Sequence, residues 1–73
     1  MTSPHVNAVV RLRGNLPTLG LRGGDEGIVV SVWISPGEFQ FEVEFPQPGG
    51  SPGVRARLCV EQLEVVKSQP TGI

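Results

Sequence analysis

The chain has 73 residues, 38% of them apolar, and carries six lysines and arginines against seven aspartates and glutamates, a formal net charge of −1. One domain fits that length with little room for a deep catalytic cleft, because a chain of about 60 residues buries only roughly 60% of its unfolded surface. The balanced charge lacks the basic excess that drives binding to phosphates, and no apolar run approaches the ~20 residues that a helix needs to cross a bilayer.

Ten glycines and seven prolines cut the chain into short pieces, and between the cuts the apolar period is two. In "NAVVRLR", residues 7–13, Ala8, Val10 and Leu12 share one face, with Val9, Arg11 and Arg13 on the other. The loop that follows, residues 14–26, holds Leu16, Leu19 and Leu21, expected to fold back and plug one end of the core, with Pro17 stiffening its start. Gly23, Gly24 and Gly27 are expected to adopt backbone angles closed to other residues. "GIVVSVWIS", residues 27–35, predicts a second strand with Ile28, Val30, Val32 and Ile34 inward and Val29, Ser31 and Trp33 outward.

"FQFEVEF", residues 39–45, alternates most plainly, with Phe39, Phe41, Val43 and Phe45 on one face and Gln40, Glu42 and Glu44 on the other. "VRARLCV", residues 54–60, puts Val54, Ala56, Leu58 and Val60 inward and Arg55, Arg57 and Cys59 outward. A hairpin across the loop "PQPGGSPG" that sets Phe45 opposite Val54 also sets Glu44 opposite Arg55 and Glu42 opposite Arg57. Opposite charges facing each other across a strand pair contribute roughly 0.2–1 kcal/mol each, so charge and periodicity select the same register. A tight turn over residues 60–63 leads into a last short strand, "LEVV". Five short strands around one core predict an all-β fold, a small five-stranded SH3-like barrel with a long first loop. Residues 1–6 are expected to be a flexible N-terminus, residues 7–66 the barrel, and residues 67–73 a disordered tail.

The segments "VVRLRGNLPTLGLRGGDEGIVVSVW", "FEVEF" and "LCVEQLEVV" resemble a family of small bacterial proteins classed as a domain of unknown function. The shared pattern runs V-x-L-x-x-x-L-P-x-x-G-L-x-x-G-x-x-G-x-V-V, then Y-x-V-E-F, then L-x-x-x-Q-L-x-x-V. Leu16, Pro17, Gly20, Leu21, Gly24, Gly27, Val29, Val30, Glu44, Phe45, Gln62 and Leu63 match it. The chain departs from the pattern in its Pro- and Gly-rich "PQPGGSPG" loop and in having Phe39 or Phe41 where Tyr is common. The resemblance implies an SH3-like barrel and carries over no activity or binding residue. The spacing V-x-L … G-x-x-G-x-V is also loosely similar to the KOW motif of ribosomal and transcription proteins. Size and architecture resemble small peripheral subunits of photosynthetic complexes. Both are analogies of fold, which do not establish function.

Candidate sites are few. "GLRGGDEG" lacks the Lys-Ser/Thr of a phosphate-binding loop, places Asp25 and Glu26 where phosphate would lie, and leads into a strand instead of a helix. His5 and Cys59 are the only residues of their types, short of a nucleophile with its base and orienting group, and short of a structural zinc set. No catalytic residue, metal or cofactor is therefore expected. Glu42 and Glu44, on an outer strand face, read as partners of arginines and not as an acid/base pair. Trp33 is the residue that stands out. Alternation turns it away from the core, either as an interface hot spot or packed beneath the Pro-rich loop or a chain end. Arg11, Arg13 and Arg22 are expected to border it as a small basic patch.

These features predict a non-enzymatic protein-binding module or accessory subunit of a larger intracellular complex. A single cysteine, with no partner for an internal disulfide, suits a reducing cytoplasm, and "MTSPHVN" carries no basic-then-apolar secretory pattern. The alternative is a KOW-like RNA- or ribosome-binding module using Arg11, Arg13, Arg22, Arg55 and Arg57. Pairing Arg55 and Arg57 with glutamates weighs against it.

Overall fold

Alternating β-branched, aromatic and polar residues suit a half-buried pleated surface. In a computed structural model, which describes residues 4–47, 49 and 52–67, every such stretch is a strand. The strands are β1 (Val9–Leu12), β2 (Glu26–Ser35), β3 (Glu38–Phe45), β4 (Val54–Cys59) and β5 (Leu63–Lys67). All neighbours are antiparallel, in the order β4-β3-β2-β1-β5. Short 3₁₀ turns occupy Pro17–Leu19 and Val60–Gln62.

The sheet does not close into the expected SH3-like barrel. β4 pairs only with β3 and β5 only with β1, so both are edges of an open sheet. The barrel expectation assumed that a five-stranded apolar face can be kept dry only by closure. Here other devices contribute. Leu21 from the long loop is 3% exposed and Ala8, ahead of β1, is fully buried, while Leu16 packs against the same core. Two bulges, one at Val30 in β2 and one where β5 meets β1, interrupt the ladders and bend the strands that carry them. The three-residue turn Val60–Gln62 then carries the chain from β4 to pair with β1 at the other end of the sheet.

The core takes Val10 and Leu12 from β1, Val29 from β2, Phe41, Val43 and Phe45 from β3, Ala56 and Leu58 from β4, and Leu63 from β5. The β1 and β4 faces fall as alternation predicts. β2 does not: Val29 is fully buried, whereas Ile28 is 41% exposed. Val29 lies opposite Val43 and Ser31 opposite Glu42, which leaves Val30 as the extra residue of the bulge. A one-residue insertion moves every side chain on one side of it to the opposite face. Strict alternation is therefore right only beyond the bulge, where Val32 faces Phe41.

The long loop explains its glycines. The backbone N–H of Leu16 donates to the Leu21 carbonyl at 2.8 Å and that of Leu21 returns to the Leu16 carbonyl at 3.1 Å, closing a small loop around the Pro17–Leu19 turn. Gly20, at φ 71°, ends that turn in the left-handed region. Gly24, at φ +96°, makes the second left-handed corner. Asn15 Oδ1 accepts from the Gly23 N–H at 2.8 Å and Asp25 Oδ2 from the Arg22 N–H at 3.0 Å. Leu21 is buried as expected, but Leu19 is 41% exposed and plugs nothing.

Gly27 has a different task from the one expected of it. Its backbone is not left-handed; a Cβ there would lie 2.7 Å from the Glu44 carbonyl oxygen and 2.9 Å from Phe45 Cδ2. At the other end, Lys67 belongs to β5, opposite Val9, and not to the tail; residues 68–73, the rest of the expected disordered segment, lie outside the described residues. Gly27→Ala is expected to destabilise the fold by about 1–3 kcal/mol through overpacking, read as the urea midpoint by far-UV circular dichroism. Gly14→Ala, where a Cβ meets nothing within 4 Å, is expected to leave the midpoint within about 0.5 kcal/mol.

Candidate interaction surface

The two-residue turn Pro36–Gly37 sets the register of the β2–β3 hairpin. Proline suits the first central position of a type II turn and Gly37, at φ +86°, the second. Ser35 then faces Glu38, Ile34 faces Phe39 and Trp33 faces Gln40. The last rung that β4 supplies is Cys59 opposite Gln40, so the hairpin runs on past the edge of the core. Its end has apolar side chains with little to cover them. Ile34 is 76% and Phe39 51% exposed, although alternation assigns both to the core. Val60, assigned inward as well, is also exposed, because it has left β4 for the 3₁₀ turn.

Trp33 stands on the opposite face of the same hairpin end and is 45% exposed. It is not bare. The Arg57 Cζ lies 4.3 Å from the centroid of its ring. Trp33 is on β2 and Arg57 on β4, so the two side chains meet over the outer face of β3, each bridging one strand spacing of about 4.8 Å. Such a stack contributes about 0.5–1 kcal/mol at an exposed site.

That contact revises the expected ion pairs while leaving their backbone register intact. Glu44 lies opposite Arg55 and Glu42 opposite Arg57, as charge and alternation require. Arg55, however, reaches both carboxylates, at 3.8 Å from Glu42 and 3.7 Å from Glu44, while Arg57 turns to the indole. Side chains this exposed gain well under about 1 kcal/mol from each pair.

The expected basic patch around Trp33 is not assembled. Arg11, on β1, pairs with Glu26 at 3.0 Å and lies 3.6 Å from Glu64. Arg13 donates from Nε to the Leu63 carbonyl at 3.0 Å, pinning the end of β1 to β5. Arg22 is exposed in the long loop. β1 pairs with β2 only as far as Ile28, and Trp33 lies roughly 15 Å farther along β2 at about 3.3 Å per residue. The partner of Trp33 is thus Arg57, which was assigned to a glutamate. The signal for it was present in "SPGE": a two-residue turn there fixes Trp33 opposite Gln40, one rung from Arg57.

The remaining candidates have structural surroundings. Cys59 is half-buried, and its backbone N–H donates to Gln62 Oε1 at 2.9 Å, capping the turn Val60–Gln62. His5 is exposed ahead of β1, three strands away in the sheet. Among the described residues no three His, Cys, Asp or Glu side chains form a group able to hold a metal ion, and no helix is long and apolar enough to cross a membrane.

Arg57→Gln is expected to shift the emission of Trp33, the single tryptophan, and to lower stability by about 0.5–1 kcal/mol. In a double-mutant cycle with Trp33→Leu the two changes are expected to be non-additive by a similar amount.

No curated protein and no solved structure matches the chain. Residues 6–65 match a family described as a domain of unknown function, DUF4926, and with most of its length inside that match the chain belongs to this family.

Proposed function

We propose that the chain is a non-enzymatic protein-binding module, an accessory part of a larger intracellular complex, which docks through the end of its β2–β3 hairpin. One observation carries this reading: Ile34 and Phe39 on one face and Trp33 on the other are 76%, 51% and 45% exposed at a point where the sheet has no further strand. Contiguous exposed apolar surface marks an interaction site more often than scattered apolar residues do, and tryptophan is enriched among the residues that dominate binding energy. The hairpin is also held rigidly, by a proline-glycine turn and by the Arg57 stack, so little ordering entropy is lost on docking.

The arginines favour this reading over RNA binding. Arg11 and Arg55 each meet two carboxylates, Arg13 is spent on a backbone carbonyl, and the net charge is −1.

The test is affinity capture of the tagged chain from its own host, with and without nuclease, beside Ile34→Asp and Trp33→Ala. A defined protein that survives nuclease and is lost with either variant is the expected result, with both variants keeping their unfolding midpoint within about 1 kcal/mol of the parent. A partner indifferent to both substitutions overturns the proposed surface, and loss of every partner on nuclease treatment transfers the chain to the nucleic-acid class.

A further inference from the structure

Beside the hairpin end lies a depression of about 330 Å³ that none of the foregoing uses. Gly37, Glu38 and Phe39 form one wall, from the β2–β3 turn, and Cys59, Val60 and Glu61 form the other, from the end of β4 and the 3₁₀ turn. Phe39 and Val60, 51% and 38% exposed, give it apolar walls. Glu38 and Glu61 add one carboxylate from each side, and both residues are exposed.

The charge pattern of the rest of the molecule makes this pair distinctive. Glu26, Glu42, Glu44 and Glu64 each have an arginine within ion-pair distance. Among the described residues, Glu38 and Glu61 take part in no ion pair. An apolar notch with two uncompensated carboxylates at its margin complements one kind of side chain. It suits a long aliphatic stem that ends in a cation, because such a stem can lie on apolar surface while its head stays among charges and water.

We propose that this notch receives a lysine or arginine side chain of a partner protein, the stem against Phe39 and Val60 and the cation between Glu38 and Glu61. The inference rests on the reading of the chain as a protein-binding module and names the chemistry of its partner: an apolar contact for Ile34 and Phe39 with a basic residue next to it. A lipid surface fits less well. Glu38, at the tip of the hairpin, would be driven into it ahead of Phe39, and a carboxylate there is costly to desolvate.

The test uses defined probes on the full chain, followed by amide resonances in ¹⁵N-labelled protein. Acetyl-Gly-Arg-Gly-amide and acetyl-Gly-Lys-Gly-amide are titrated beside acetyl-Gly-Gln-Gly-amide, calcium chloride and a short oligonucleotide. The expected result is saturable shifts at Gly37, Phe39, Val60 and Glu61 with the two basic peptides and not with the glutamine peptide. The Glu38→Gln/Glu61→Gln double variant should weaken binding about three- to tenfold, the scale of two partly solvated charge pairs. Both positions are exposed, and dispersion of the amide spectrum checks that the variant is folded.

The proposal is overturned if the basic peptides shift no resonance at the notch, or bind the double variant equally well. It is overturned equally if calcium or the oligonucleotide produces the shifts and the peptides do not, or if the same resonances move on dilution of the protein alone, which would place a second copy in the notch. None of these results depends on Ile34 or Trp33, so a failed notch leaves the hairpin surface standing. Loss of capture with Ile34→Asp beside unchanged capture with the double variant would separate the two readings in the opposite sense.

Discussion

Everything in this small sheet depends on how closely β2 and β3 approach at Gly27. There is no space at that position for even a methyl group, because the Glu44 carbonyl and the Val43 and Phe45 side chains already occupy it. Three residues later the bulge at Val30 changes the phase of the strand. The two features act together. The glycine lets the β3 core residues fold over the start of β2, and the bulge then restores the pairing of apolar with apolar at Val32 and Phe41. Phe41, Val43 and Phe45, each about 1% exposed or less, form the centre of the core, and fully burying a side chain of this kind is worth about 1.5–3 kcal/mol.

Outside that core the surface charges do local work. Arg55 serves two glutamates and Arg11 two more, and Arg13 ties β1 to β5 through a carbonyl. None of these contacts is large in solvent-screened surroundings. Their effect on function is mostly negative, since arginines occupied by carboxylates are poorly placed to collect phosphates. Arg57 is the exception: stacked on Trp33, it holds an indole flat against the sheet while leaving much of it in water.

An open sheet has consequences that a closed one would not. β4 stops at Cys59 while the β2–β3 hairpin continues to its turn. The last rungs of that hairpin therefore lack a neighbour on the β4 side, and Ile34 and Phe39, matched to each other across the strands, remain in solvent. The same early end of β4 forms the notch, since the chain turns away at Val60 and brings Glu61 toward Glu38. The apolar end and the acidic notch thus have one structural origin, and a single partner surface could cover both.

The local choices were legible in the residues. Period-two alternation identified all five strands, the opposed charges of β3 and β4 gave their register to the residue, and the pattern L-P-x-x-G-L-x-x-G marked both the long loop and the family. These succeed because strand alternation and cross-strand pairing act between neighbours or across one hairpin. What failed depended on distant parts of the chain. The bulge at Val30 is invisible in "GIVVSVW", where every residue suits a strand, and only the competing demands of Val43 and Phe41 across the sheet place the extra residue. Ile34, Phe39 and Val60 read as core because alternation reports a face and not whether anything covers it. Whether the edges met was likewise undecidable from local pattern, since it depends on where β5 docks after a three-residue turn. Sequence alone determined the strands, their order along the chain and one hairpin register; tertiary structure decided where the core ends, and with it which apolar residues are left for a partner.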